Sequence, residues 1–183
     1  LMIGIGTVSA VYGVVFALGQ HDLKRLLAYH SIENIGIMLL GLGLALVGRS
    51  LGRADWVLLG LAGCLFHVWN HALFKALLFL GAGAVVHSTG SRDLDSMGGL
   101  ARRMPVTATL FLAGALAICG LPPFNGFVSE LLVYLGLGRA AIAPGLEAHH
   151  RREQGVDELR LVVGRVEPLL LDRIGDEAGF HEH

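Results

Sequence analysis

The chain has 183 residues, of which 54 % are hydrophobic and only 16 % charged, with a mean hydropathy of +0.62. Soluble domains average about 25 % charged residues, so this composition excludes an ordinary soluble globular protein and indicates an integral membrane protein. The formal net charge of −1 removes any argument for nucleic-acid binding, and two cysteines within apolar runs, Cys64 and Cys119, read as buried thiols rather than a disulfide framework.

The first apolar run, about Leu1 to Gly19, carries no charge and suffices for one membrane crossing, which takes about 20 residues. Its Gly4, Gly6, Ser9, Ala10 and Gly13 are small enough to let a second helix come close. The run begins at Leu1 with no charged segment before it, so a signal peptide is not expected and the chain reads as a piece of a longer one. After the polar connection His21-Asp-Leu-Lys24-Arg25, a second crossing is expected over about Leu26 to Val47. His30, Ser31, Glu33 and Asn34 fall in its first turns, where snorkelling to the interface would satisfy some of them. Arg49 to Asp55 forms the next loop.

The third run, Trp56 to Val86, would reach about 46 Å as a helix against a hydrocarbon core of about 30 Å. It must tilt, bend or extend beyond the bilayer, and Gly60 and Gly63 are candidate flexible points. This run holds the feature that most needs an explanation. His67, His71 and Lys75 recur at four-residue steps, which places them on one face of a helix over about 12 Å. Ionisable groups are costly in lipid and are tolerated against a protein interior or a water-filled cavity.

His87 to Met104 is a polar connection. Pro105 to about Gly138 is again too long for one straight span, and Gly120-Leu-Pro122-Pro123-Phe-Asn125-Gly126 interrupts it. Two adjacent prolines lack backbone donors, so two half-helices are expected, about Val106 to Ile118 and Phe127 to Leu137, joined by an unwound segment. Unwound backbone at membrane depth must be buried in protein or line a cavity, and broken helices build ion sites in transporters. Residues 139–183 read as a polar tail, with one or two soluble amphipathic helices near Val156 to Ile174. His149, His150, His181 and His183 read as solvated tail residues rather than a metal site. The expected fold is therefore all-α: a polytopic membrane helix bundle of about four transmembrane segments, the last broken at Pro122-Pro123, followed by a short soluble tail. Lys24, Arg25, Arg92, Arg102 and Arg103 fall on one side of the bundle. The positive-inside rule puts loops 20–25 and 88–104 in the cytoplasm.

Histidine titrates near neutrality and can both take and give a proton, so His67, His71 and Lys75 suit a relay. The structural alternative is that they only bond to neighbouring helices. Glu130, just after the break, is a further proton carrier or else a structural partner of Lys75. Glu33 stands close enough to a helix end to be solvated, and Lys24 is either part of a charged loop or a group reaching inward along the second helix. No soluble-enzyme constellation competes: the chain has no phosphate-binding glycine loop, no CxxC pair and no HExxH.

Three ordered motifs carry a resemblance. They are Asp22-Leu-Lys-Arg-Leu-Leu-Ala-Tyr-His-Ser-Ile-Glu-Asn-Ile-Gly36, Phe66-His-Val-Trp-Asn-His-Ala-Leu-Phe-Lys75-Ala-Leu-Leu-Phe79, and Gly120-Leu-Pro-Pro-Phe-Asn-Gly-Phe-Val-Ser-Glu130. They resemble the antiporter-like proton-conducting membrane subunits. That family includes the large membrane subunits of respiratory complex I, Mrp-type cation/proton antiporter subunits, and the hydrogenase-4 and formate hydrogenlyase membrane subunits. The form Tyr29-His-Ser-Ile-Glu-Asn-Ile-Gly36 is most similar to hydrogenase-4 component B.

The resemblance implies that residues 1–138 form part of a proton-conducting domain, the ninth to twelfth helices of a fourteen-helix core. It implies that Lys75, His67 and His71 belong to a central hydrophilic axis. Glu130 would match the ionisable residue of the broken twelfth helix, and Lys24 the lysine of the Asp-x-Lys-Arg motif. It also places the loop before the tenth helix in the cytoplasm, in agreement with the charge count. The departures are the family's glutamate on the fifth helix, its lysine on the broken seventh, and the two helices after the twelfth. Residues 139–183 resemble nothing in the family, and a truncated, frameshifted or mis-joined reading frame would explain both ends.

The expectation is a partial proton-translocating membrane subunit of a respiratory oxidoreductase complex, of hydrogenase-4, formate hydrogenlyase or NADH:quinone oxidoreductase type. It would be a multi-pass protein of the cell inner (plasma) membrane, in contact with the lipid bilayer and with other membrane and peripheral subunits. Those subunits would hold the redox cofactors; this chain would hold no cofactor, no metal and no complete active site. Three alternatives stand beside it: a cation/proton antiporter subunit, a membrane cytochrome with His67 or His71 and a histidine such as His30 as haem ligands, and a non-functional truncated remnant.

Overall fold

A computed structural model describes residues 1–143, and all its regular elements are helical. They are α1 (Met2–Leu18), α2 (Leu23–Ser50), α3 (Ala54–Thr89), a 3-10 turn (Leu94–Ser96), α4 (Leu100–Arg103), α5 (Pro105–Ile118) and α6 (Asn125–Ala143). Helices α2, α3 and α6 are long and apolar enough to cross a membrane, and α1 and α5 are shorter apolar helices. Leu1–Arg139 forms one compact unit. The sequence expectations for a tail helix near Val156 to Ile174, and for His149, His150, His181 and His183, lie outside the described residues.

Burial is inverted relative to a soluble protein. Asn34, His67, Asn70, Lys75 and Ser129 are buried, whereas Val8, Leu58, Leu65, Trp69, Leu80 and Val106 are exposed. Apolar side chains outside and hydrogen-bonding ones inside is the arrangement that a lipid solvent favours. The chain is an all-α membrane helix bundle.

The helices begin and end for local reasons. Asp22, in extended conformation, accepts a hydrogen bond from the Arg25 amide at 2.9 Å. This N-cap starts α2 three residues before the hydropathy onset at Leu26. Helix α3 ends on Gly90, in left-handed conformation, whose amide bonds the Val86 carbonyl. Loops 19–22 and 90–99 lie side by side: the Leu23 amide donates to the Arg92 carbonyl at 2.9 Å and the Leu94 amide to the His21 carbonyl at 2.8 Å. The two loops that the sequence assigns to one side of the bundle are thus bonded to each other.

Neighbouring helices run antiparallel and meet through small residues. On α1, Gly6 lies against Gly36 and Leu40, and Gly13 against the Glu33 backbone. Gly4 has no such neighbour. Between α2 and α3, Gly48 lies against Trp56, and Gly41 against Gly60. Gly63 of α3 lies against Val133 of α6. Gly60 and Gly63, expected as flexible points, sit inside an unbroken 36-residue helix. Their missing side chains admit the neighbouring backbones instead. At about 1.5 Å per residue α3 is about 54 Å long, so it extends beyond the bilayer rather than breaking within it.

Helices α5 and α6 are the two parts of one broken span. Phe111 and Gly114 of α5 lie against Gly81 and Leu78 of α3. Val133 and Gly136 of α6 lie against Gly63 and Gly60. Both parts therefore run antiparallel to α3, and the unwound residues 119–124 fall level with its midpoint near His71. The second part starts at Asn125 and continues past the expected end at Leu137 to Ala143. Cys64 is buried as expected, but Cys119 is exposed, because it caps the end of α5 where the break begins.

Candidate functional site

The buried polar groups converge where α2, α3 and α6 meet. His67 is fully buried. Its Nε2 lies 3.0 Å from Asn34 Oδ1 on α2 and its Nδ1 lies 2.9 Å from Ser129 Oγ on α6. One turn along α3, Asn70 Nδ2 donates to the Asn125 carbonyl at 2.9 Å and to Ser129 Oγ at 3.2 Å. Asn125 Nδ2 returns a bond to Asn70 Oδ1 at 2.9 Å. The first turn of α6, just after the break, is thereby tied to α3 by reciprocal amide bonds.

Backbone groups settle which atom of each amide points where. Asn34 Nδ2 donates to the His30 carbonyl at 2.7 Å. A carbonyl only accepts, so Oδ1 is the Asn34 atom that faces His67, and Nε2 of His67 is the donor. Asn125 Oδ1 likewise accepts from the Gly126 amide at 3.1 Å.

Lys75 is buried at 6 % exposure, and its ammonium group bonds the Leu27 carbonyl of α2 and lies 5.6 Å from the centre of the Phe79 ring. The partner that the sequence suggested for it, Glu130, is not its hydrogen-bond partner. Glu130 is half-buried and lies against Gly120 of the unwound segment. Gly120 has φ +60°, a conformation that favours glycine, and Glu130 Oε2 lies 2.9 Å from where a Cβ would stand. His71 shares an edge-on ring contact with Phe74, and its Nε2 is buried without a hydrogen-bond partner among the described residues.

Glu33 is more central than its position near a helix start suggests. Rather than reaching for the interface, it is half-buried and lies 2.7 Å from His30 Nδ1. It lines a cavity of about 290 Å³ between α1, α2 and Tyr134 of α6. Ser31 bonds back to the Leu27 carbonyl. The polar residues at the start of α2 are therefore satisfied within the protein, not by snorkelling.

Of the five expected site residues, His67, His71 and Lys75 share the inner side of α3, and Glu130 stands at the break. Lys24 is half-buried near the start of α2, and among the described residues it makes no hydrogen bond or ion pair. Asn70 and Ser129 were not legible as site residues. The available signal was spacing: Asn70 follows His67 by three, and Ser129 follows Asn125 by four.

The sequence is similar to known membrane proteins. A family model described as "NADH:quinone oxidoreductase/Mrp antiporter, TM" matches residues 1–142. Hydrogenase-4 component B of Escherichia coli (strain K12) is 51 % identical over 137 residues, covering 75 % of this chain and 20 % of that protein. Formate hydrogenlyase subunit 3 of the same organism is 48 % identical over 130 residues, covering 71 % and 21 %. A Na(+)/H(+) antiporter subunit of Alkalihalophilus pseudofirmus (strain ATCC BAA-2126 / JCM 17055 / OF4) is 42 % identical over 144 residues, covering 76 % and 18 %. The chain spans about a fifth of the length of these curated relatives.

Proposed function

The chain belongs to the NADH:quinone oxidoreductase/Mrp antiporter transmembrane family, and from that premise we propose that it forms part of a proton-translocating membrane subunit of a hydrogenase-4 or formate hydrogenlyase type complex. Protons pass along the inner side of α3, with Lys75 and Glu130 as the charge-switching groups, His67 and His71 between them, and Lys24 near the start of α2. The redox reaction belongs to partner subunits, and its energy reaches this chain as changes in charge and packing. The chain lies in the inner (plasma) membrane with loops 20–25 and 88–104 on the cytoplasmic side; residues 1–138 are its conducting domain and 139–183 a separate tail.

One observation supports this reading most: a buried lysine, two histidines and the buried amide of Asn70 occupy the middle of the longest membrane helix, level with a break in the neighbouring span. A helix that only needed to be held in place has no use for an ammonium group at that depth.

The test is Lys75→Ala in the assembled parent complex, read by proton uptake into inverted membrane vesicles. Proton translocation should fall to background while the subunit composition of the complex is unchanged. Wild-type proton uptake in fully assembled variant complexes would sink the assignment. Uptake that depends on sodium rather than on the redox substrate would select the antiporter reading instead.

A further inference from the structure

The Ser129 hydroxyl sits between two acceptors. Its Oγ is 2.9 Å from His67 Nδ1 and 2.9 Å from the Gly126 carbonyl oxygen. It has one proton to give. The Asn125 carbonyl, at 3.4 Å, is a weaker third choice. Asn70 Nδ2 already donates to the oxygen at 3.2 Å, which leaves Ser129 one proton and one lone pair to distribute.

The state of His67 decides how they are used. Asn34 Oδ1 accepts from Nε2, so the neutral ring carries its proton on Nε2 and presents a bare Nδ1. Only the Ser129 O–H can donate to that lone pair. When His67 takes up a proton, the new N–H bond forms at Nδ1, which then becomes a donor. Ser129 must now offer its lone pair, and its own proton must turn to the Gly126 carbonyl. No covalent bond on Ser129 changes. The proton is supplied from the bulk solution along the path proposed for α3, and the ring gains one positive charge.

We infer that Ser129 is a positioning residue whose hydroxyl turns between His67 Nδ1 and the Gly126 carbonyl as His67 gains and loses a proton, carrying the charge state of α3 into the first turn of the broken helix. This rests on the proposal that His67 exchanges protons. Ser129 is fully buried, so water does not compete for either of its positions. Gly126 itself is clamped: a Cβ there would run into the Ala117 carbonyl, at the end of α5. A change at the Gly126 carbonyl is therefore felt where the two parts of the broken span meet, in the turn that leads to Glu130. The other ionisable groups nearby have their own contacts. On α3, His71 meets Phe74 edge-on and Lys75 bonds the Leu27 carbonyl. On α2, His30 and Glu33 face each other; on α6, Glu130 lies against Gly120.

Magnetic resonance on the full chain in lipid bilayers tests this without reference to transport. Histidine is labelled with nitrogen-15, glycine with nitrogen-15 and with carbon-13 at the carbonyl, and asparagine with carbon-13 at the carbonyl; the His67 signal is assigned by its loss in His67→Gln and the Gly126 signal through the chain's single Asn-Gly pair, Asn125-Gly126. In the neutral form His67 should carry its proton on Nε2, with Nδ1 as a hydrogen-bonded acceptor. On acidification the Gly126 carbonyl signal should move with the same midpoint as His67. In Ser129→Ala the Nδ1 signal should shift to that of an unbonded acceptor, and the Gly126 signal should no longer follow His67. Ser129→Thr, which keeps the hydroxyl, should restore the link. A neutral His67 protonated on Nδ1, a Gly126 signal that stays still while His67 titrates, or a Gly126 signal that still follows His67 in Ser129→Ala each overturns the inference. So does a His67 that stays neutral throughout. Loss of transport in Lys75→Ala with the Gly126 signal unlinked from His67 would leave the proposed function standing and remove only the role of Ser129.

Discussion

From Trp56 to Gly63, α3 meets α2 and α6 through glycines; from His67 to Lys75 it meets the same two helices through hydrogen-bonding side chains. In the first half a Cβ on Gly60 would lie 2.5 Å from the Gly41 carbonyl oxygen, and one on Gly63 would lie 2.8 Å from Val133. In the second half the contacts are His67 to Asn34 and Ser129, Asn70 to Asn125, and Lys75 to the Leu27 carbonyl. Lipid tails are as apolar as leucine, so packing of small residues is a sufficient means of holding membrane helices together. The chain has that means and uses it between Trp56 and Gly63 of α3. The polar half therefore adds little that adhesion requires, and its groups stand next to the break in the neighbouring span. The contrast separates what holds the bundle from what the bundle holds.

The most severe way to break the comparison is on the glycine side. Gly60→Leu drives a branched side chain into the Gly41 carbonyl and the Ala45 amide, both backbone atoms that cannot turn away. Overpacking typically costs about 1–3 kcal/mol and occasionally more; against rigid backbone the upper end applies, and the variant should lose its sharp melting transition in detergent. A melting curve like that of the parent chain would mean that the seam is not where α2 and α3 are held. On the polar side the cost is smaller. His67→Leu leaves Asn34 Oδ1 short of a buried partner, at about 1–3 kcal/mol for an unsatisfied group, while Ser129 keeps its bonds with Asn70 and the Gly126 carbonyl. The chain should still fold, and proton translocation should be lost. If His67→Leu unfolds the chain as thoroughly as Gly60→Leu, the polar half is structural and the division fails.

A finer measurement sharpens the same contrast. Asn70 and Asn125 exchange bonds across the α3–α6 contact, and a double-mutant cycle with alanine isolates their coupling. Interhelical hydrogen bonds in membranes average about 0.6 kcal/mol and reach about 1.7, so the coupling should fall within that span. The readout is the shift of the unfolding midpoint on titration with a denaturing detergent. A coupling near zero would separate the amide pair from the start of α6, and with it the argument that the break is anchored to α3.

How much of this was legible in the sequence follows the same divide. Hydropathy gives the spans and the interruption at Pro122-Pro123, because composition and missing backbone donors act locally. The stripe of His67, His71 and Lys75 is legible because helical spacing alone puts them on one face. What the sequence does not carry is which helix that face meets. Asn70 and Ser129 are ordinary residues until α6 is laid against α3. Glu33 reads as a solvated group at a helix start until Asp22 caps the chain early and α1 and α6 close around it. Glycine is ambiguous in the same way: Gly60 and Gly63 permit bending or close approach, and only the positions of Gly41 and Val133 decide between them.

The smallest expected effect separates a seam glycine from a glycine that merely sits in a helix. Gly83 lies in α3 like Gly60, but a Cβ there would meet nothing within 4 Å. Alanine is favoured over glycine in a helix interior by about 0.8–1.0 kcal/mol, so Gly83→Ala should leave the melting temperature unchanged or raise it slightly. Gly60→Ala carries the same gain in propensity but places its methyl 2.5 Å from the Gly41 carbonyl oxygen, and should lower the melting temperature. Measuring both in one host helix cancels the propensity term, leaving the close approach as the difference. If the two substitutions shift the melting temperature alike, the account of the first half of α3 as a packed seam falls, because backbone propensity would then explain both.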